Sequence, residues 1–357
     1  MVSRAAAWVR EEIRALSAYR VTPSDGMVKL DAMENPHRLP AALAEELGKR
    51  LSEVAVNRYP DPRAGELKAV LREAMGIPAE LPVVLGNGSD ELLQSIAVAL
   101  ARPGAVMLSL EPSFVMYRMS ATLAGMRYVG VPLRPDFTID LPAVLAAIAA
   151  HQPALVWVAY PNNPTGNLFP REAIAAIVEA TPGLVVVDEA YYPFTNGATW
   201  LPECARRDNV VVVRTVSKLG LAGLRLGLAT GPQDWLAELD KVRLPYNVNA
   251  LSMVAGQFLL EHRPALEAQC RQIVAERARL EAGLDAIGRV ERFPSAANFV
   301  LARLPNAQRV FEGLRARKIL VRNLHGHHAL LGECLRFSVG TADENAALLA
   351  ALADVIE

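Results

Sequence analysis

The chain has 357 residues, of which 52% are hydrophobic and 21% charged, and its formal net charge is −1. That balance argues against nucleic acid or an anionic membrane as the main partner, and the length predicts one large domain with a smaller companion. Its three cysteines, Cys204, Cys270 and Cys334, are odd in number and far apart, which disfavours a disulfide framework or a paired metal site and fits a reducing compartment.

The opening stretch, "MVSRAAAWVREEIRALSAYR", carries charges every few residues and lacks the unbroken apolar core of a signal peptide. No apolar run reaches membrane-spanning length, so a cytoplasmic location is expected. Further along, apolar runs predict buried strands over 81–86, 105–110, 154–160, 183–191 and 209–217. Helical periodicity fills the gaps at 90–101, 140–150 and 171–181, and Pro-Gly pairs at 103–104 and 182–183 punctuate the units. Continuous Val-rich strands alternating with helices predict an α/β fold with a mainly parallel sheet covered on both faces. After about residue 250 the pattern changes. A charged amphipathic run over 264–287 leads into the short strands "NFVLARL" and "CLRFSVGT" and a closing helix in "DENAALLAALADVIE". The expected division is an N-terminal arm (1–30) serving the smaller domain and the substrate site, a large domain (31–260) and a small α+β domain (261–357).

In open α/β sheets ligands bind beyond the carboxyl ends of the strands, and the polar residues of this chain gather there. "GNGSDE" (86–91) opens a helix at Ser89 and Asp90, where free N–H groups favour an anion; the same pattern also serves as a plain N-cap. "PNNPTG" (161–166) reads equally as a turn. "DEAY" (188–191) places an acid at the end of an all-valine strand, where it needs a cation or a donor, catalytic or structural. Ser217 and Lys218 follow the next strand, and Arg225 comes shortly after. Together these are the parts a pyridoxal-phosphate site requires: an amine for the Schiff base, an acid for the ring nitrogen, donors for the phenolic oxygen and a phosphate cradle.

The order "PNNPTG … DEAY … SK … GLR" resembles the fold-type I aminotransferases over nearly the whole chain. Within them, "NRYPDP" (57–62), "PSFVMY" (112–117), "VVVDEAY", "RTVSKLGLAGLRLG", "LVRN" (320–323) and "CLRFSVGT" (334–341) are most similar to the histidinol-phosphate aminotransferases. The resemblance implies pyridoxal 5'-phosphate on Lys218, with the freed amine acting as general base and acid. It implies that Asp188 pairs with the ring nitrogen, Asn163 and Tyr191 bond the phenolic oxygen, and Tyr117 stacks on the ring. Ser89, Asp90, Ser217 and Arg225 would hold the phosphate, and Tyr59 would reach the partner's phosphate across a homodimer with shared sites. Arg336 would anchor the substrate carboxylate, with Arg322 and Tyr19 as substrate-phosphate contacts. The implied reaction is a ping-pong transfer between L-histidinol phosphate and 2-oxoglutarate, giving imidazole-acetol phosphate and L-glutamate, in histidine biosynthesis. An aromatic amino-acid aminotransferase or a threonine-phosphate decarboxylase of the same fold is the alternative.

One departure stands out: "KLGLAGLR" is a residue shorter than the "KAFGLAGLR" form between the lysine and the arginine. "HGHH" (325–328) reads as a polar loop, since one local cluster does not make a four-ligand metal site. A transcription regulator built on the same fold would need an added DNA-binding module, and a nicotinamide dehydrogenase a GxGxxG turn after a strand; neither is present.

Overall fold

Twelve strands form two sheets in a computed structural model that describes residues 3–18 and 22–356. In chain order they are β1 (Val28–Leu30), β2 (Val83–Asn87), β3 (Val106–Glu111), β4 (Arg127–Pro132), β5 (Leu155–Ala159) and β6 (Leu184–Asp188). Then come β7 (Val210–Thr215), β8 (Leu226–Thr230), β9 (Glu291–Arg292), β10 (Phe299–Arg303), β11 (Ile319–Asn323) and β12 (Cys334–Ser338). The larger sheet has the order β2-β8-β7-β6-β5-β3-β4, and β8 alone runs antiparallel to its neighbours. The expected α/β architecture with a mainly parallel sheet is therefore present.

The valine runs show why this sheet is buried on both sides. Along β6, Val185 and Val187 face one apolar cluster while Leu184 and Val186 face another. The pleat sends alternate side chains to opposite faces, and helices cover each. Helices Gly65–Ala74 and Arg171–Ala180 pack on the first face, and Ser89–Leu100 on the second. Because β2, β3, β5, β6 and β7 run in one direction, their carboxyl ends share one edge. The start of the reversed β8 joins them there. That edge carries the site.

The smaller sheet has the order β1-β11-β12-β10-β9. It buries Phe299, Leu335 and Phe337 against helices Arg263–Ala286, Ala307–Ala316 and Ala342–Val355. The last helix starts at a capping box, with Thr341 and Glu344 each bonding the other's backbone N–H. The N-terminal strand β1 lies in this sheet and pairs in parallel with β11, Val28 opposite Ile319.

Candidate active site

Lys218 occupies the corner between β7 and β8, in a short 3-10 turn (Ser217–Leu219). The turn ends at Gly220, with φ 108°, where an added Cβ would come within 2.8 Å of the Asn35 amide. Its backbone conformation therefore favours glycine. Among the described residues the Lys218 amine makes no hydrogen bond or ion pair; its nearest aromatic face is Tyr191, at 5.7 Å. Burial, reinforced by the Arg336 charge, pulls its pKa down to about 8.

A cavity of about 240 Å³ opens above this amine and is also lined by Asp188, at the end of β6. Asp188 is buried and receives two hydrogen bonds, from the Tyr117 hydroxyl to Oδ2 at 2.8 Å and from the Ala190 N–H to Oδ1 at 3.0 Å. Its pKa is raised to about 6. Burial is the main cause, the two donors oppose it, and the charges of Asp90 and Glu189 add to it. No cation pairs with it among the described residues.

The same cavity wall includes an anion cradle. Helix Ser89–Leu100 begins at Gly88 without a side-chain cap, so its first N–H groups stay available. Gly88 has φ 82°, and an added Cβ would sit 2.5 Å from the Arg225 guanidinium. Arg225 reaches across to Asp90 Oδ2 at 3.3 Å, and both line the cavity. The shortened Lys218–Arg225 loop brings Arg225 to this place through a left-handed backbone, φ 51°. Ser217 accepts a hydrogen bond from Thr215 at 2.9 Å, and both of these hydroxyls also line the cavity.

Nine of the residues expected from the sequence thus share one cavity: Ser89, Asp90, Tyr117, Asn163, Asp188, Tyr191, Ser217, Lys218 and Arg225. Tyr191 packs edge-on against Phe299, and burial pushes its hydroxyl pKa well up. Arg336 stands just behind the wall, donating to Asn163 Oδ1 at 2.5 Å and to the Asp31 carbonyl at 3.0 Å. Arg322 lies opposite Arg336 across the β11–β12 pair and does not line the cavity. Tyr59 is also outside it; 80% exposed, it stacks on Tyr246 at 4.5 Å. Tyr19 lies outside the described residues.

Tyr117, expected to stack on a ligand ring, lines the cavity. Its ring is fully buried and lies parallel to Trp157 at 5.1 Å, while its hydroxyl is committed to Asp188. Phe114, one turn earlier at the N-cap of helix Val115–Ala124, is only partly buried and lines the cavity; sequence reasoning passed over it. Both aromatics belong to "PSFVMY", and the signal was positional, since the residue at a helix start faces the strand edge. Met33 and Glu34, which also line the cavity, carried no such signal. In the "HGHH" loop, His325 interacts with Glu333 and His328 accepts from the Leu330 N–H.

The groups in this cavity fit pyridoxal phosphate: an unpartnered amine, an acid without a cation, and an uncapped helix start beside a hydroxyl and a guanidinium.

Comparison with known proteins points the same way. The family described as aminotransferase class I and II matches residues 25–352. A histidinol-phosphate aminotransferase of Chromobacterium violaceum is 55% identical, with 96% of each chain covered. Histidinol-phosphate aminotransferase 2 of Cupriavidus pinatubonensis is 54% identical over 97% of this chain and 95% of its own. Among solved structures, the histidinol-phosphate aminotransferase of Sinorhizobium meliloti in complex with pyridoxal-5'-phosphate superposes with a TM-score of 0.87. It is 25% identical, and 98% of each chain is covered.

Proposed function

The chain belongs to the class I and II aminotransferases, and on that premise we propose that it transfers the amino group of L-histidinol phosphate to 2-oxoglutarate. The products are imidazole-acetol phosphate and L-glutamate, a step of histidine biosynthesis. The observation that carries this reading is the Lys218 amine, which has no hydrogen-bond or ion-pair partner among the described residues and opens into the same cavity as Asp188. The high identity to histidinol-phosphate aminotransferases favours this substrate over the aromatic amino-acid and threonine-phosphate alternatives.

Pyridoxal phosphate, when bound, supplies an electron sink that lets a proton leave the carbon bearing the amine. The protein supplies the rest. With its pKa drawn down to about 8, Lys218 is uncharged in about a tenth of molecules at pH 7, and Nζ in that form can take that proton and return it. Asp188 holds negative charge for the ring nitrogen. Asn163 and Tyr191 orient the ring's oxygen from the side of β5 and β6. Ser89, Asp90, Ser217 and Arg225 surround the place for the phosphate, where the uncapped N–H groups would be the principal donors. Phe114 offers an apolar plate at the cavity wall, a role we assign to it alongside Tyr117. Arg336 is a planar, permanently charged donor suited to a carboxylate; Arg322 and Tyr19 are assigned to the substrate phosphate.

We assign the division into an N-terminal arm (1–30), a large domain (31–260) and a small domain (261–357) to the two sheets. The catalytic unit in this reading is a cytoplasmic homodimer. Tyr59 does not line its own cavity; it is exposed and stacks on the exposed Tyr246, an aromatic pair suited to contact with a second copy. No helix among the described residues is long and apolar enough to cross a membrane.

The deciding experiment is borohydride reduction of protein incubated with pyridoxal phosphate, followed by peptide mass mapping. The cofactor should be fixed on the peptide carrying Lys218. Spectral bleaching by histidinol phosphate, but not by phenylalanine or phosphothreonine, then tests the substrate. Labelling elsewhere, or bleaching by all three, would reject the assignment.

A further inference from the structure

Tyr117 is the one aromatic of the cavity whose polar atom is committed to a catalytic residue, and its surroundings leave it no other choice. The ring is fully buried, and it is held parallel to Trp157 of β5 with an interplanar angle of 5°. Phe114 meets it edge-on at 5.8 Å. Held in this way, the hydroxyl has Asp188 Oδ2 as its hydrogen-bond acceptor. Burial, strengthened by the nearby Asp188 charge, keeps the phenol protonated well above the ordinary tyrosine range. At working pH it is always a donor.

That has a consequence for the acid. The Ala190 N–H donates to the other oxygen, Oδ1, so each carboxyl oxygen of Asp188 faces a fixed donor. A carboxylic acid needs an acceptor for its own proton, whereas a carboxylate accepts from both donors. Asp90 and Glu189 oppose negative charge here, although Glu189 is itself paired with Arg214. Glu34, Tyr191, Lys218 and Arg225 face the same cavity, and Arg336 lies behind Asn163. None of them touches the Asp188 carboxyl. The phenol and one amide are therefore what hold the anion against desolvation.

We propose that Tyr117 is a positioning residue, whose hydroxyl keeps Asp188 in its acceptor form and so decides which side of the acid–pyridine contact holds the proton. This inference rests on the pyridoxal-phosphate reading above. In chemical terms, a pyridine nitrogen meeting Asp188 finds a carboxylate and is held protonated. Without the phenol, the proton is shared back toward the acid and the ring draws electrons less strongly.

The test is Tyr117→Phe, which retains the ring and its stack on Trp157 and removes only the donor. Cofactor affinity, measured on apo-protein by equilibrium binding across pH 5–8, should fall about tenfold near neutrality, and its midpoint should move up by about one unit. Turnover should drop by a similar factor while KM for the amino donor stays nearly constant. A second variant, 3-fluorotyrosine at position 117, strengthens the donor and should move the midpoint down. If both variants keep the wild-type affinity and midpoint, the inference is overturned while the cofactor reading stands. Wild-type protein that takes up no cofactor on Lys218 overturns both.

Discussion

Asp188 and Glu189 are adjacent acids at the end of β6, and the fold treats them in opposite ways. On the far side of the sheet from the cavity, Glu189 is fully provided for. It accepts from the Arg214 Nε and Nη2, from the Thr199 hydroxyl and from the Trp200 N–H. Arg214 in turn donates to the Met75 carbonyl and lies 3.7 Å from the Tyr192 ring. Asp188 receives two neutral donors and no cation. The same contrast separates Arg214, with four hydrogen bonds at the end of β7, from Lys218 four residues later, whose amine has no hydrogen-bond or ion-pair partner among the described residues. Buried charge that is fully satisfied belongs to the framework; buried charge left short of partners is held for a ligand.

That contrast can be broken from either side. The largest effect is expected at Lys218. Lys218→Ala should lower turnover by about ten-thousandfold while circular dichroism stays native; residual activity near that of wild type would end its assignment. Next comes the framework pair. Arg214→Met strands Glu189 without its cation in a dry setting, which should destabilise the protein by about 3–5 kcal/mol in urea unfolding. The double variant with Glu189→Leu should recover much of that loss. Equal instability of the single and double variants would show that the pair is not the relevant unit.

Asp188→Asn should bind cofactor yet turn over about a hundredfold more slowly, read as kcat at saturating substrate. Near-normal turnover would place Asp188 with the framework.

The last effect concerns the pH dependence of the cofactor-free protein, and its sign is distinctive. Asp188 is raised from 3.8 to about 6, so between these values the native chain holds a proton that the unfolded chain has lost. Stability should therefore fall as pH rises from about 4 to about 6, by something on the order of 3 kcal/mol. Lys218 is lowered from 10.5 to about 8, so the native amine loses its proton first and stability should climb again between those values. Both penalties are present around neutrality. Urea midpoints across pH should show the dip, and Asp188→Asn should remove its acid limb. A flat wild-type profile would contradict the contrast between saturated and unsatisfied charge.

Much of this arrangement was legible in the residues themselves. The five strands expected in the larger sheet are there, with ends shifted by a few residues, because unbroken Val and Leu runs have no stable place except between two layers. The expected helices at 90–101, 140–150 and 171–181 correspond to Ser89–Leu100, Leu141–His151 and Arg171–Ala180. Strands β4 and β8 escaped notice. "RYVGVP" is a half-exposed edge with little apolar continuity, and "LGLAT" follows the lysine loop so closely that it reads as loop. In the site, residues carried by motifs were visible, whereas Phe114, Glu34 and the Glu189–Arg214 pair depend on which face of an element they occupy. Tyr117 shows the limit best. Its presence near the ring site could be anticipated from "PSFVMY", but only the stack on Trp157 reveals that its hydroxyl is turned toward Asp188.

The pairing of Val28 with Ile319 sets an order for biosynthesis. A nascent chain releases β1 from the ribosome early, long before β11 exists to receive it. Nearly the entire larger sheet can assemble in the meantime, while that first strand waits with its backbone groups open to water or to an unwanted neighbour. A polypeptide cut short before Ile319 would leave Val28–Leu30 without the strand it pairs with.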